Sequence, residues 1–241
     1  MPRRTHFVSD LHMFSGRSLA AQHTEAIHDA ARKSHTFVLG GDIFDFRWST
    51  LDSPTATVRA AMEWLDSLVS RHRGTQFHFV VGNHDYNRRF LMALESYSVT
   101  SPNLAVHHYY VRLGKSLFMH GDVVDRPCIC PETLRKRREV WLHDEFVHPW
   151  RHKLYDLAVQ ARLHAIAGKV KNPKARVANR ILGYLSHIGE TASHGVQHVY
   201  FGHTHEALSD YRMKGISFHN GGAPMPGLTF RIVEAPQAHT S

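Results

Sequence analysis

Five short polar motifs follow apolar runs along this chain: Asp10-Leu11-His12, Gly41-Asp42-Ile43-Phe44-Asp45, Gly82-Asn83-His84-Asp85, His120-Gly121-Asp122 and Gly202-His203-Thr204-His205. A short apolar run that stops at a turn residue reads as a buried strand emptying into a loop. Open α/β sheets build their sites beyond the carboxyl ends of such strands, so the five loops are expected to meet at one sheet edge. They bring seven nitrogen and oxygen ligands: Asp10, His12, Asp42, Asn83, His120, His203 and His205. With no cysteine in the set, manganese, iron, zinc or cobalt suits it better than a structural zinc–thiolate site.

The spacing of apolar residues places the intervening elements. Strands are expected at 6–9, 37–40 and 77–81, and helices at 18–35, 55–72 and 87–97. The helix at 55–72 has the clearest signal, with Val58, Met62, Leu65 and Val69 recurring at intervals of three and four. Strand–helix alternation of this kind favours an α/β fold with a mostly parallel sheet under helical cover. Residues 104–113 and 116–119 read as two strands joined at Gly114, and strands resume at 198–201, 207–213, 216–219 and 228–233. Nothing from about 131 to 193 reads as a strand; helical patterns at 131–147, 150–168 and 176–188 are separated by Pro149 and Asn172-Pro173. The expectation is one domain over 1–241 with a helical insertion at about 131–193, between the fourth and fifth motifs.

At 241 residues and 42% hydrophobic content the chain can bury a substantial core. No run approaches the ~18 apolar residues of a membrane span, and the sequence enters its first strand almost at once, so a cytoplasmic location is expected. Cys128 and Cys130, the only cysteines, are too close in sequence for an unstrained disulfide and read as reduced thiols. The net charge of +8 points to an anionic partner: a nucleic acid, a nucleotide or an anionic lipid surface.

On an extended segment, residues two apart point to the same side, so Asp10 with His12, and His203 with His205, can each face one site. Gly41, Gly82 and Gly202 permit a tight turn ahead of each ligand. Two cations held ~3.5–4 Å apart yield hydroxide from a shared water near neutral pH and stabilise charge developing on phosphoryl oxygens, which makes phosphoester hydrolysis the expected chemistry.

The order D-x-H, G-D-x-x-D, G-N-H-D, a later His and G-H-x-H resembles the calcineurin-type metallophosphoesterase superfamily, from Thr5 to about Val233. The resemblance implies a four-layer αββα sandwich holding two divalent metal ions, manganese foremost. One ion would sit among Asp10, His12, Asp42 and His205, the other among Asp42, Asn83, His120 and His203, with Asp42 bridging. Asp45 and Asp122 would orient ligands and loops, or serve as caps and turns. His84 would contact the phosphate or protonate the leaving oxygen, with Asp85 holding its imidazole.

A helical insertion at this place, with the wording Ser9-Asp10-Leu11-His12, Gly41 to Phe46 and His120-Gly121-Asp122, is similar to the bacterial UDP-2,3-diacylglucosamine pyrophosphatases of lipid A synthesis. That implies a lipid-linked, anionic pyrophosphate substrate met at the inner face of the cytoplasmic membrane. In the insertion Trp141, Leu142, Phe146, Trp150, Leu154, Tyr155, Leu157 and Leu163 interleave with Arg135, Lys136, Arg137, Arg138, Arg151, Lys153 and Arg162. Such a surface could take acyl chains or headgroups, or be a helical hairpin packed on its own sheet. It could also stack single-stranded nucleic acid, though no nucleic-acid partner is expected. One branch of those enzymes carries Arg where His84 stands. His84 therefore keeps an alternative open: a phosphatase or phosphodiesterase acting on a soluble nucleotide or phosphoprotein. The segment His219-Asn220-Gly221-Gly222, followed by Pro224 and Pro226, reads as a tight loop with no chemical role assigned.

Overall fold

The computed structural model describes residues 4–127, 130–142 and 173–236. Its first half follows the alternation expected from sequence: β1 (Thr5–Val8), α1 (Thr24–Lys33), β2 (Thr36–Leu39), α2 (Pro54–Arg71), β3 (Gln76–Val80), α3 (Arg88–Thr100) and β4 (Leu104–His107). Helix starts are set locally. The Ser53 hydroxyl accepts from the Ala56 N–H with Pro54 in the first turn of α2, and the Asn87 side chain accepts from the Arg89 and Phe90 N–H groups at the start of α3. The helix expected at 18–35 begins later, because a single 3₁₀ turn at Ala20–His23 precedes α1.

Then come β5 (Tyr110–Leu113), β6 (Ser116–Met119), α4 (Pro131–Glu139), α5 (Lys174–His187), β7 (His198–Tyr200), β8 (Leu208–Met213), β9 (Ile216–Asn220) and β10 (Val233–Ala235). The strands form two five-stranded sheets, ordered β10-β1-β2-β3-β4 and β5-β6-β7-β9-β8. Strands β1 to β4 run parallel, as do β6, β7 and β9; β10, β5 and β8 pair antiparallel at the edges.

Side-chain alternation sorts the core into layers. Phe7, Val38, Val80, Val111, Phe118 and Tyr200 point between the sheets. Their neighbours Val8, Phe37, Leu39, Phe77 and Phe79 point outward, under residues of α1, α2 and α3. On the other side Leu117, Met119 and Val199 pack under Val177, Ile181 and Leu185 of α5. The result is the αββα sandwich expected from the resemblance.

Two strand expectations need correction. Residues 104–113 are not one strand: β4 ends the first sheet at His107 and β5 opens the second at Tyr110. The apolar pattern continues across the junction because both halves are partly buried, so periodicity does not register the change of sheet. The last strand lies at Val233–Ala235 rather than 228–233; upstream of it only Phe230 forms an isolated bridge, to Gly222. In the insertion α5 is helical as expected, while α4 opens at Pro131 as expected but ends at Glu139, and 143–147 of the helix expected at 131–147 lie outside the described residues. The helix expected at 150–168 lies outside the described residues, as do Cys128, Phe146, Trp150, Arg151, Lys153, Leu154, Tyr155, Leu157, Arg162 and Leu163. Among the described residues no helix is long and apolar enough to cross a membrane.

Histidines on neighbouring strands should make the fold acid-sensitive. His78 Nδ1 of β3 lies 2.9 Å from His107 Nε2 of β4. Burial, then the neighbouring His107, lowers the His78 pKa from 6.5 to about 4. Between those values the unfolded chain binds a proton that the folded chain refuses, so stability falls as pH drops from about 6.5 towards 4 and is fully present above. Urea midpoints measured from pH 7.5 down to 4.5 should show this decline, and His78→Gln should make it shallower.

Candidate metal centre

All five motifs lie beyond the carboxyl ends of strands, three from the first sheet (β1, β2, β3) and two from the second (β6, β7). The site therefore sits on the seam where the two parallel edges meet. Backbone bonds tie the loops together. Asp10 N–H donates to Gly41 O at 3.0 Å, His12 N–H to Asp42 O at 2.9 Å, and Gly202 N–H to His120 O at 2.7 Å.

Five of the seven candidate ligands are not on extended segments. Asp10, His12, Asp42, His203 and His205 have φ of 55°, 44°, 51°, 65° and 57°, in the left-handed region that non-glycine residues rarely adopt. His203 and His205 join different groups, whereas Asp10 and His12 join the same one. The three clusters of ligating atoms are Asp10 with His12 and His205, Asp42 with His120 and His203, and His12 with Asp42 and His84. The glycines also act differently from expectation. Only Gly41 needs its positive φ; a Cβ on Gly82 would overlap the Asp42 carboxylate, and one on Gly202 would overlap that of Asp10.

Distances between ligating atoms test whether cations fit. His12 Nε2 lies 3.0 Å from His205 Nε2 and 3.7 Å from Asp42 Oδ2, and His205 Nε2 is 3.6 Å from Asp10 Oδ1. In the second group His120 Nε2 is 3.3 Å from Asp42 Oδ2, 3.0 Å from Asn83 Oδ1 and 3.3 Å from His203 Nδ1. Atoms bound at ~2.0–2.2 Å to a common ion stand ~3.0–3.5 Å apart; four of the six distances fall in that range, and those from His12 to Asp42 and from His205 to Asp10 are slightly longer. The residues present fit two cations sharing Asp42.

The charges of the protein's own groups agree. Burial, then Arg17, lowers the His12 pKa to about 4, and burial holds His205 well below its ordinary value, so both imidazoles stay neutral with lone pairs to offer. Burial would raise the Asp42 pKa, but His120 and His84 hold its carboxyl well below the usual range. His120 is the exception: against its own burial it is raised to about 10 by Asp42, so it would have to release a proton to bind a cation.

His84 lies beside His12 and Asp42, and its partner is not Asp85. The Asp85 carboxylate is fully buried and accepts from Phe44 N–H at 2.9 Å and Gly82 N–H at 3.0 Å, joining two ligand loops. It is Asp45 Oδ1 that lies 3.0 Å from His84 Nδ1, while Asp45 Oδ2 lies 3.3 Å from His12 Nδ1. Asp122 accepts two bonds of 2.7 Å from the buried Arg138 guanidinium of α4.

Sequence reasoning missed three contributors. Arg17 reaches Asp45 Oδ2 at 3.3 Å, and Asp125 reaches His203 Nε2 at 2.8 Å. Asp125 stands three residues after Asp122 on one 3₁₀ turn, a spacing that could have flagged it. Asn220, from the loop with no assigned role, donates to Gly202 O and Thr204 Oγ1, each at 3.1 Å, and so fixes the fifth motif.

A family model for calcineurin-like phosphoesterases matches residues 3–207, and the chain belongs to that family. Its members depend on a pair of metal ions, which makes this chain a metal-dependent phosphoester hydrolase. Similar solved structures include phosphopantetheinyl hydrolase from Mycobacterium tuberculosis, 14% identical, covering 100% of this chain and 98% of that one, with a TM-score of 0.47. A dimetal phosphatase from Danio rerio is 10% identical over 93% and 89% of the two chains, with a TM-score of 0.48. The Escherichia coli phosphoesterase Yfce is 14% identical over 98% and 84%, with a TM-score of 0.39. No curated protein matches the sequence.

Because Gly82 abuts Asp42, Gly82→Ala should displace the shared carboxylate. We expect a loss of about 1–3 kcal/mol in urea unfolding and a smaller rise in Tm on adding manganese than in wild type.

Proposed function

We propose that these side chains form a dinuclear centre that hydrolyses a phosphoester or pyrophosphate bond. The observation that carries it is the shared Asp42, within reach of both histidine groups. Asp10, His12, Asp42 and His205 would hold one cation, and Asp42, Asn83, His120 and His203 the other. Manganese suits these donors, as do iron, zinc and cobalt. Two cations bound there supply a nucleophilic water deprotonated near neutral pH and offset charge on the phosphoryl oxygens.

His84 serves as the proton donor to the leaving oxygen. Burial works against a charge on its ring, yet Asp45 and Asp42 outweigh burial and raise its pKa. Asp45 faces Nδ1, which leaves the other ring nitrogen for the substrate. Asp45 thus takes the positioning role that the sequence suggested for Asp85.

The substrate we propose is a UDP-sugar lipid of the UDP-2,3-diacylglucosamine kind, met at the cytoplasmic membrane face. It is supported by the insertion between the fourth and fifth motifs, whose Trp141 ring lies 4.7 Å from that of His84. One observation favours a soluble nucleotide or phosphoprotein instead. The basic residues of α4 are matched within the protein: Arg135 by Glu139, Lys136 by Glu132, Arg137 by Asp125 and Arg138 by Asp122. That helix offers no unmatched basic face to a headgroup.

With added manganese the wild type should hydrolyse aryl phosphoesters, and Asp42→Ala and Asn83→Ala should abolish the activity; activity surviving both changes would rule out this centre. Turnover of a UDP-diacylglucosamine lipid, compared with nucleotides and phosphopeptides, decides between the substrates. His84→Asn should lower kcat about 10²–10⁴-fold on alkyl phosphoesters and much less on p-nitrophenyl esters, whose leaving group needs no proton. The manganese-induced rise in Tm should survive that substitution; its loss would make His84 a ligand rather than an acid.

A further inference from the structure

We propose that Arg47, laid against the indole of Trp141 beside His84, binds a second anionic group of the substrate, on the leaving-group side of the scissile phosphorus. The proposal rests on the hydrolytic reading above and deepens it: the preferred substrates are phosphoanhydrides, not simple monoesters.

Trp141 is held from both sides. Before it, Arg138 of α4 is buried against Asp122; after it, Leu142 packs on the core beneath the first sheet. The indole centroid stands 4.7 Å from the His84 ring with the planes at 45°, and the Arg47 guanidinium carbon stands 5.0 Å from the indole centroid. A guanidinium resting on an aromatic ring still presents its N–H groups for a bidentate oxyanion.

The charges around the site single this residue out. Arg17 faces Asp45, Arg137 faces Asp125 and Arg138 faces Asp122. Among the described residues no carboxylate pairs with Arg47. It is half-buried, so its charge is neither cancelled by the protein nor fully dispersed by water. Position gives the direction. His84 marks the leaving-group side of the centre, and Arg47 rests against the same indole as His84. An anion at Arg47 therefore belongs to the leaving group, and a phosphate joined to the scissile one through oxygen has the reach and charge to meet it. A monoester with a neutral leaving group offers Arg47 nothing.

The test is calorimetric binding of α,β-methylene-ADP and of AMP, with manganese, to wild type and to Arg47→Met and Trp141→Ala. Wild type should bind the methylene analogue about tenfold or more tightly than AMP. Arg47→Met should bring the analogue down to the AMP level without changing AMP, and Trp141→Ala should weaken the same contrast by releasing the guanidinium. In parallel, Arg47→Met should lower kcat/KM on pyrophosphate-linked substrates while sparing p-nitrophenyl phosphate. A contrast that persists in Arg47→Met, an equal loss for both ligands, or no contrast in wild type overturns the proposal. Failure of wild type to hydrolyse any phosphoester overturns the hydrolytic reading instead, and the binding contrast still decides the role of Arg47.

Discussion

A buried carboxylate, that of Asp42, is the constraint from which the rest of this structure follows. An uncompensated ion in a protein interior costs several kcal/mol, so a fold that buries one must surround it. Here Oδ1 accepts the His84 backbone N–H at 2.8 Å, while Oδ2 lies 3.3 Å from His120 and 3.7 Å from His12. Those groups come from loops after β3, β6 and β1. Compensation therefore requires the two sheets to present their carboxyl edges at one height. Packing between the sheets sets that height: Phe7 of β1 lies 5.8 Å from Phe118 of β6 and 6.0 Å from Tyr200 of β7, ring to ring.

The insertion is bound into the same arrangement. Arg138 of α4 donates to both oxygens of Asp122, two residues beyond His120, and also to the carbonyl of His108, where the chain crosses between sheets. Its neighbour Arg137 pairs with Asp125, which in turn holds His203. Two consecutive side chains thus join the start of the insertion to two ligand-bearing loops and to the crossover. Of the basic residues that suggested an anionic-lipid surface in the sequence, Arg137 and Arg138 pair with carboxylates of the site loops. The indole they help to fix, Trp141, becomes a wall beside His84.

Much of this was legible because it is local. A short apolar run followed by a polar loop declares itself within ten residues, so β1, β2, β3, β6 and β7 and the loops carrying the candidate ligands follow from sequence. The capped starts of α2 and α3 are equally local. What depends on a change of partner is not legible. Residues 104–113 keep one apolar rhythm while passing from the first sheet to the second. Adjacency in Asn83-His84-Asp85 suggests that Asp85 orients His84, yet Asp85 turns back onto Gly82 and Phe44 while Asp45 of another motif meets the imidazole. The pairs Asp122–Arg138 and Asp125–Arg137 join residues 16 and 12 apart with no periodic signal between them.

The backbone shows how such a centre holds its shape. Five candidate ligands occupy the left-handed region, at a cost of about 1–2 kcal/mol each for residues bearing a Cβ. Strain of that size persists only where surrounding bonds over-determine the conformation. They do so here: Asp10 Oδ1 accepts His203 N–H at 2.7 Å, while the Asp10 and His12 amides are tied to the second loop. The imidazoles are further crowded, with His12 and His205 presenting like nitrogens to each other at 3.0 Å. A divalent cation held there would take a lone pair from each ring in place of the hydrogen bond those two nitrogens can share. Little of its binding free energy would then go into ordering loops, and it would appear as added stability of the folded chain.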